Sequence, residues 1–445
     1  SVRLRLEPPV SMRVCRDLCK PAFAYKMLTF THRKHMDKRK FLLAIGGFGA
    51  SVTPLASWAQ DKWGESKGFP IGWGPAGALQ KWEGYPEYHV GNFSGGIETM
   101  LAHQTILAST QPFHLRDAKR RVKVNFFMDA SDFAARFNRP GLLITRNGEI
   151  WHEEYRFKRQ ADMRFFGWSM TKSILGILTG IAFDQKKLES LDDRLDKYVP
   201  QLQGHVFADI TLRNLLNMAS GVNICESFCS PNTGFERYGY SQIGYSPRRG
   251  EGTDQIQGIL NFKWGRSEPQ GTKFSYTDIN PVLIAWVLET IYQMPVPKIA
   301  EKYLWQPMGA AANATWLTDS KGFTFSGAGF SATLQDWARF GLLVANEGTL
   351  NGAQIVSKAW IDETSKHGPS DQASRFNVAR PGRGYRNFFW HHSADGRMLR
   401  MAGAISQNML IDKKTKTVLV QTGVSDESGA EEMMSALFAS ACDQS

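Results

Sequence analysis

Hydrophobic and polar positions change period several times along the chain. Residues 60–113 have weak periodicity and many Gly, Pro and Trp, as in Gly68-Phe-Pro-Ile-Gly-Trp-Gly-Pro, which predicts an ordered but irregular arm. The run Gly141-Leu-Leu-Ile-Thr-Arg-Asn-Gly-Glu-Ile-Trp-His-Glu-Glu-Tyr reads as two strands about Asn147-Gly148. That dipeptide suits a two-residue hairpin turn, whose central positions need positive φ. Residues 167–183 are apolar almost all round, the mark of a helix buried inside a domain. Residues 188–200 and 211–218 predict short amphipathic helices, with Thr211 as an N-cap. Helical spacing resumes over 280–291 and 331–344. The period then shortens: 386–390, 408–412 and 417–422 are strand candidates separated by turn residues such as Asp412-Lys-Lys-Thr, and 431–441 closes as a helix.

A hairpin early, helices in the middle, and strands plus a helix late predict an α+β fold. An antiparallel sheet is assembled from both ends of the chain and flanked by helices. The expected organisation is an upstream extension and secretory signal over 1–59 and an irregular N-terminal arm over 60–134. A catalytic domain follows over 135–184 and 276–445, interrupted by an inserted helical, loop-rich lobe over 185–275.

Charge changes the picture only at the front. The chain of 445 residues carries a formal +11, but residues 1–40 hold eleven Lys/Arg against Glu7, Asp17 and Asp37, which leaves +3 for the remainder. The basic run Lys119-Arg120-Arg121 reads as a solvated face, and no nucleic-acid fingerprint is present, so no nucleic-acid partner is expected. Lys38-Arg39-Lys40, the apolar stretch from Phe41 and then Ser57-Trp58-Ala59 form the three regions of a secretory signal in order, with a cut after Ala59. An uncleaved anchor is the alternative, although the apolar run is short for a span. Lys38-Arg39-Lys40-Phe41-Leu42-Leu43 also resembles a twin-arginine signal with its first Arg replaced by Lys. Periplasmic or secreted localisation is expected, without a stable membrane span after cleavage, and Met36 is the expected start. Cys225 and Cys229 are spaced to close a small disulfide in an oxidising compartment or to stand as two free thiols. No zinc-like ligand cluster accompanies them, and neither a metal nor a cofactor is expected.

The candidate chemistry centres on Ser169 and Lys172 in Gly167-Trp-Ser-Met-Thr-Lys-Ser. At positions i and i+3 of a helix start the two side chains share a face, so the amino group reaches the hydroxyl. A desolvated lysine can accept the proton of a serine that is otherwise a poor nucleophile. This is the single Ser-x-x-Lys of the chain, and it opens the most hydrophobic helix. Free amide groups at that helix end favour a developing oxyanion. No Gly-x-Ser-x-Gly elbow is present, which excludes an α/β-hydrolase site. His391 and His392 read as wall residues, only one of which can face a pocket. Trp168, Trp264, Trp286, Phe389 and Trp390 are candidates to line a substrate groove, with the hydrophobic core as their alternative place.

Trp168-Ser-Met-Thr-Lys-Ser-Ile resembles the first motif of the serine β-lactamase and penicillin-binding-protein superfamily, and is most similar to its class C, esterase and 6-aminohexanoate-dimer hydrolase branch. Leu212-Arg-Asn-Leu-Leu-Asn-Met-Ala-Ser-Gly-Val and Phe330-Ser-Ala-Thr-Leu-Gln-Asp-Trp-Ala-Arg-Phe-Gly resemble later family segments in the same order, so the resemblance covers residues 135–440. It implies a β-lactamase/transpeptidase-like fold. It also implies that Tyr276, in Phe274-Ser-Tyr-Thr-Asp-Ile-Asn, relays a proton beside the Ser–Lys pair; a core aromatic is the alternative reading. Position 278 departs from the pattern: Asp stands where relatives carry Asn or Ser, and Asp278 can hold Lys172 by charge and leave it a poorer base. The third motif is matched by Arg400-Met-Ala-Gly-Ala-Ile-Ser-Gln-Asn, with Gly403 as anchor and the Ala404 N–H joining the Ser169 N–H as oxyanion hole. Asp278, Trp390, Gly403 and Trp168 are the substrate-binding candidates. The strand lacks the usual Lys or His ahead of its Gly, with Arg400 as a substitute cation, which disfavours D-Ala-D-Ala recognition.

The resemblance therefore implies an exported serine hydrolase that acts on a small or oligomeric ester or linear amide through an acyl-enzyme on Ser169. A β-lactamase or D,D-peptidase is the alternative within enzymes. A catalytically silent binding protein of the cell envelope is the alternative outside them.

Overall fold

The computed structural model describes Glu98 and residues 102–222, 254–368 and 384–444, apart from Phe126, residues 262–263 and Ser425. The signal, most of the arm and the Cys225–Cys229 loop lie outside the described residues. Among the described ones, Cys442 is a buried free thiol.

An eight-stranded sheet carries the fold. Its spatial order is Tyr385–Arg386, Phe389–His391, Met398–Gly403, Gln407–Asp412, Thr417–Thr422, Gly141–Arg146, Glu149–Tyr155 and Arg116–Asp117. All pairs are antiparallel except the last, which is parallel. The two ends of the chain meet where Thr417–Thr422 pairs with Gly141–Arg146. The Asn147-Gly148 turn has φ of 49° and 77°, as its sequence predicts.

Each sheet face buries its own core. On one side the Ala130–Arg136 and Ala430–Asp443 helices cover Leu142, Ile144, Leu410 and Leu419. On the other, the Leu334–Ala345 helix packs on Leu143, Met409, Val418 and Val420, and the core continues into the Thr171–Asp184 and Ile279–Tyr292 helices. The alternation of inward residues along each strand produces this division. Between residues 185 and 275 the described chain holds short helices and isolated bridges, Thr211 capping Leu212–Leu216 through the Asn214 N–H as expected.

Three expectations are corrected. Residues 103–134 are not irregular: His103–Ile106 pairs with Ala314–Leu317 in a second, four-stranded sheet, and Arg116–Asp117 edges the main one. Residues 330–333 are a strand of that second sheet, and the helix begins at Leu334 with Thr333 as its N-cap. The four residues Phe330-Ser-Ala-Thr are too few to show a strand period that separates them from the helical spacing that follows. Residues 386–390 are not one strand, because Asn387 and Phe388 take φ of 48° and 65° and turn a short hairpin.

Candidate active site

The Thr171–Asp184 helix is buried from Thr171 through Ala182, which places its first turn in the interior and Lys172 with it, at 1% exposure. A lysine this deep requires polar partners. Lys172 Nζ donates to Ser169 Oγ at 2.9 Å and to the Gly327 carbonyl at 2.8 Å, and forms an ion pair with the Asp278 carboxylate. It also lies 4.8 Å from the centre of the Tyr276 ring.

Ser169 stands in a single 3₁₀ turn, Trp168–Met170, that leads into the helix. Trp168 has φ of 48°, a conformation that costs a bulky residue roughly 1–2 kcal/mol. Its ring is held against Phe166 at 5.1 Å. The strain swings the chain sharply from the Arg164–Phe166 strand into the helix and leaves Ser169 half-buried at the bend.

Tyr276 precedes the Ile279–Tyr292 helix and stacks on Trp390 at 5.6 Å, while Tyr385 meets it edge-on at 6.1 Å. Loss of water around the phenol raises its pKa. Lys172 and hydrogen bonds with Ser169 and Lys172 pull it down, and Asp278 pushes it up. Tyr276 is thus a neutral phenol at rest, hydrogen-bonded within reach of both Ser169 and Lys172.

The Met398–Gly403 strand forms the third wall. A Cβ on Gly403 would lie 2.3 Å from the Gly167 carbonyl and 2.9 Å from Trp168 Cβ, so only glycine lets the strand approach the Trp168–Met170 turn. Ala404 follows at the exposed start of the loop back to Gln407. Arg400, one face away, is tied to Asn408 Oδ1 at 2.9 Å and to Glu431 at 2.8 Å, so it does not replace the missing cation. The histidines belong elsewhere: His391 is buried with a ring nitrogen 2.8 Å from the Thr364 carbonyl, and His392 lies against Phe438. Of the candidate aromatics, Trp390 and Trp168 stand at the site, whereas Phe389 and Trp286 are core and Trp264 packs on Phe207.

Sequence reasoning missed the Gly327 carbonyl, which no side chain announces, and Tyr385, whose place depends on the Asn387-Phe388 turn. The assembled groups bring a serine hydroxyl, a lysine amino group and a tyrosine phenol together beside a strand edge, an arrangement able to support nucleophilic chemistry at the hydroxyl.

Residues 130–427 match the family model described as beta-lactamase. A 6-aminohexanoate-dimer hydrolase of Paenarthrobacter ureafaciens is 25% identical over 283 residues, covering 63% of this chain and 71% of that protein. Among solved structures, a Bacillus anthracis protein provisionally described as a 6-aminohexanoate-dimer hydrolase superposes with a TM-score of 0.70 at 20% identity, over 81% of this chain and 95% of its own. A family VIII carboxylesterase superposes with a TM-score of 0.53 at 15% identity, over 69% and 95%. The fold is β-lactamase/transpeptidase-like, and with the family model spanning well over half of its length the chain belongs to the beta-lactamase family.

Proposed function

We propose that the protein is an exported serine hydrolase that cleaves esters or small linear amides through an acyl-enzyme on Ser169. The observation that carries this is the 2.9 Å contact of Lys172 Nζ with Ser169 Oγ, with Tyr276 beside both. In this reading Ser169 Oγ attacks the substrate carbonyl carbon as its proton passes into the Lys172–Tyr276 pair. The Ser169 and Ala404 N–H groups receive the oxyanion. The proton is delivered to the leaving alcohol or amine as the C–O or C–N bond breaks, and water repeats the sequence to release the acid.

Linear amides and esters are favoured over D-Ala-D-Ala peptides and β-lactams. Met401-Ala402 supplies no cation on the third wall and Arg400 is engaged elsewhere, so a substrate carboxylate finds no anchor there. The named activities of the Paenarthrobacter relative and the carboxylesterase point the same way. Export rests on residues 38–59, and among the described residues no helix is long and apolar enough to cross a membrane.

Incubation of the purified protein with a fluorophosphonate probe and with p-nitrophenyl butyrate should give labelling and turnover, both abolished in Ser169→Ala. Turnover that survives this substitution sinks the assignment, and absence of both in the unaltered protein favours the silent binding protein. Parallel assays with linear amide oligomers and nitrocefin rank the substrate classes.

A further inference from the structure

We propose that Asp278 is a positioning residue that holds Lys172 as an ammonium ion and thereby moves the activation of Ser169 to alkaline pH. The inference rests on the Ser169–Lys172–Tyr276 reading above and adds a fourth residue to it.

Three observations point to it. First, Asp278 occupies the N-cap position of the Ile279–Tyr292 helix yet makes no side-chain cap bond. Aspartate at that position normally accepts from the helix's first amides. Here the Thr277 hydroxyl accepts from the Ile279 N–H, and the Asp278 carboxylate turns to Lys172 instead. Second, room for it is provided: a Cβ on Gly327 would lie 2.8 Å from the Asp278 carboxyl carbon, and the same Gly327 offers its carbonyl to Lys172. Third, an ammonium has three hydrogens. Ser169 Oγ and the Gly327 carbonyl accept from Lys172 Nζ, and the Asp278 carboxylate stands beside it as the counter-ion.

To take the Ser169 proton, either Lys172 must first become a neutral amine or Tyr276 a phenolate, in each case by releasing one proton to solvent. Loss from Lys172 leaves the Asp278 carboxylate without its counter-ion, and loss from Tyr276 creates a second anion beside it. Asp278 opposes both, so the direction is the same whichever group yields. Among the described residues, the titratable groups facing Lys172 and Tyr276 are Asp278, from the segment ahead of the helix, and Tyr385 across the sheet edge. Tyr385 is itself held protonated well above its ordinary range by burial, then by Tyr276 and Asp278. A neighbouring charge moves such a group by about one to three pH units. The Asp278 side chain remains 34% exposed, so the lower end is expected.

The test is the pH dependence, from about pH 6 to 10, of fluorophosphonate labelling and of kcat/KM for p-nitrophenyl butyrate in the unaltered protein, Asp278→Asn and Asp278→Glu. The rising limb is expected to lie in the alkaline range for the unaltered protein and to move about one unit toward acid in Asp278→Asn. Restoration toward the original position in Asp278→Glu completes the expected pattern. Melting curves check folding. A limb that stays in place or moves toward alkali in Asp278→Asn overturns the proposal. Should that variant not fold, a labelling rate of the unaltered protein that is flat from pH 6 to 9 overturns it instead. Activity that persists in Ser169→Ala would mark failure of the underlying reading, whereas Ser169-dependent activity with an unmoved limb marks failure of this inference alone.

Discussion

Close approach governs the site at the level of single residues. Gly403→Ala would drive a methyl group to 2.3 Å from the Gly167 carbonyl, a backbone atom that cannot step aside without moving the turn that carries Ser169. Because a small misplacement of reacting groups costs about 100-fold in rate, kcat for p-nitrophenyl butyrate should fall by roughly that factor with the protein still folded. Glu289 yields a second prediction. Burial raises its carboxyl from 4.5 to about 7, against hydrogen bonds from the Val296 N–H and the Thr324 hydroxyl. The native state therefore binds more protons than the unfolded one between those values, and stability falls as pH rises through that window. Glu289→Gln should leave the melting temperature unchanged near pH 4 and raise stability at pH 8 by up to about 3 kcal/mol, read by thermal melts at both pH values. Ser169 and Lys172 were legible in the sequence from their fixed spacing at one helix start, and Asp278 from the resemblance of its segment to a family motif. Gly327 was not, since it acts through a carbonyl that every residue possesses.

Among the elements, the Leu334–Ala345 helix shows how a buried charge fixes a junction. Asp336 is fully buried, pairs with Arg339 at 2.7 Å, and accepts from the Ala311 and Ala312 amides and the Thr333 hydroxyl. It joins the helix start to the end of the Phe330–Thr333 strand and to the chain entering Ala314–Leu317. Removal of one partner strands the other charge, so Asp336→Ala should cost about 3–5 kcal/mol, measured by urea unfolding. The helix and its Asp-x-x-Arg pair are visible in the sequence, whereas the strand ahead of it is not. Likewise the Asn147-Gly148 hairpin could be read directly, but the Asn387-Phe388 hairpin could not. Phenylalanine at positive φ is a choice made by tertiary packing, with Phe388 only 1% exposed.

For the whole molecule, the antiparallel sheet built from both ends of the chain was legible because the strand candidates flank a long helical stretch. The second sheet was not, because its strands are short and three of them are scattered among helices. The pairing of Thr417–Thr422 with Gly141–Arg146 closes a loop of about 270 residues, whose ordering entropy must be met before the contact is gained. On the function proposed above, this closure also sets the timing of activity. Ser169 and Lys172 are synthesised early, but Gly403 and the strands that fix it in the sheet come more than 200 residues later. A ribosome-stalled chain ending near residue 400 should resist the fluorophosphonate probe, while one extended past residue 445 by a linker long enough to clear the exit tunnel should be labelled. On that reading the nascent chain is expected to stay inert while it is being made, with Ser169 armed only once the distant half of its own sheet has been delivered.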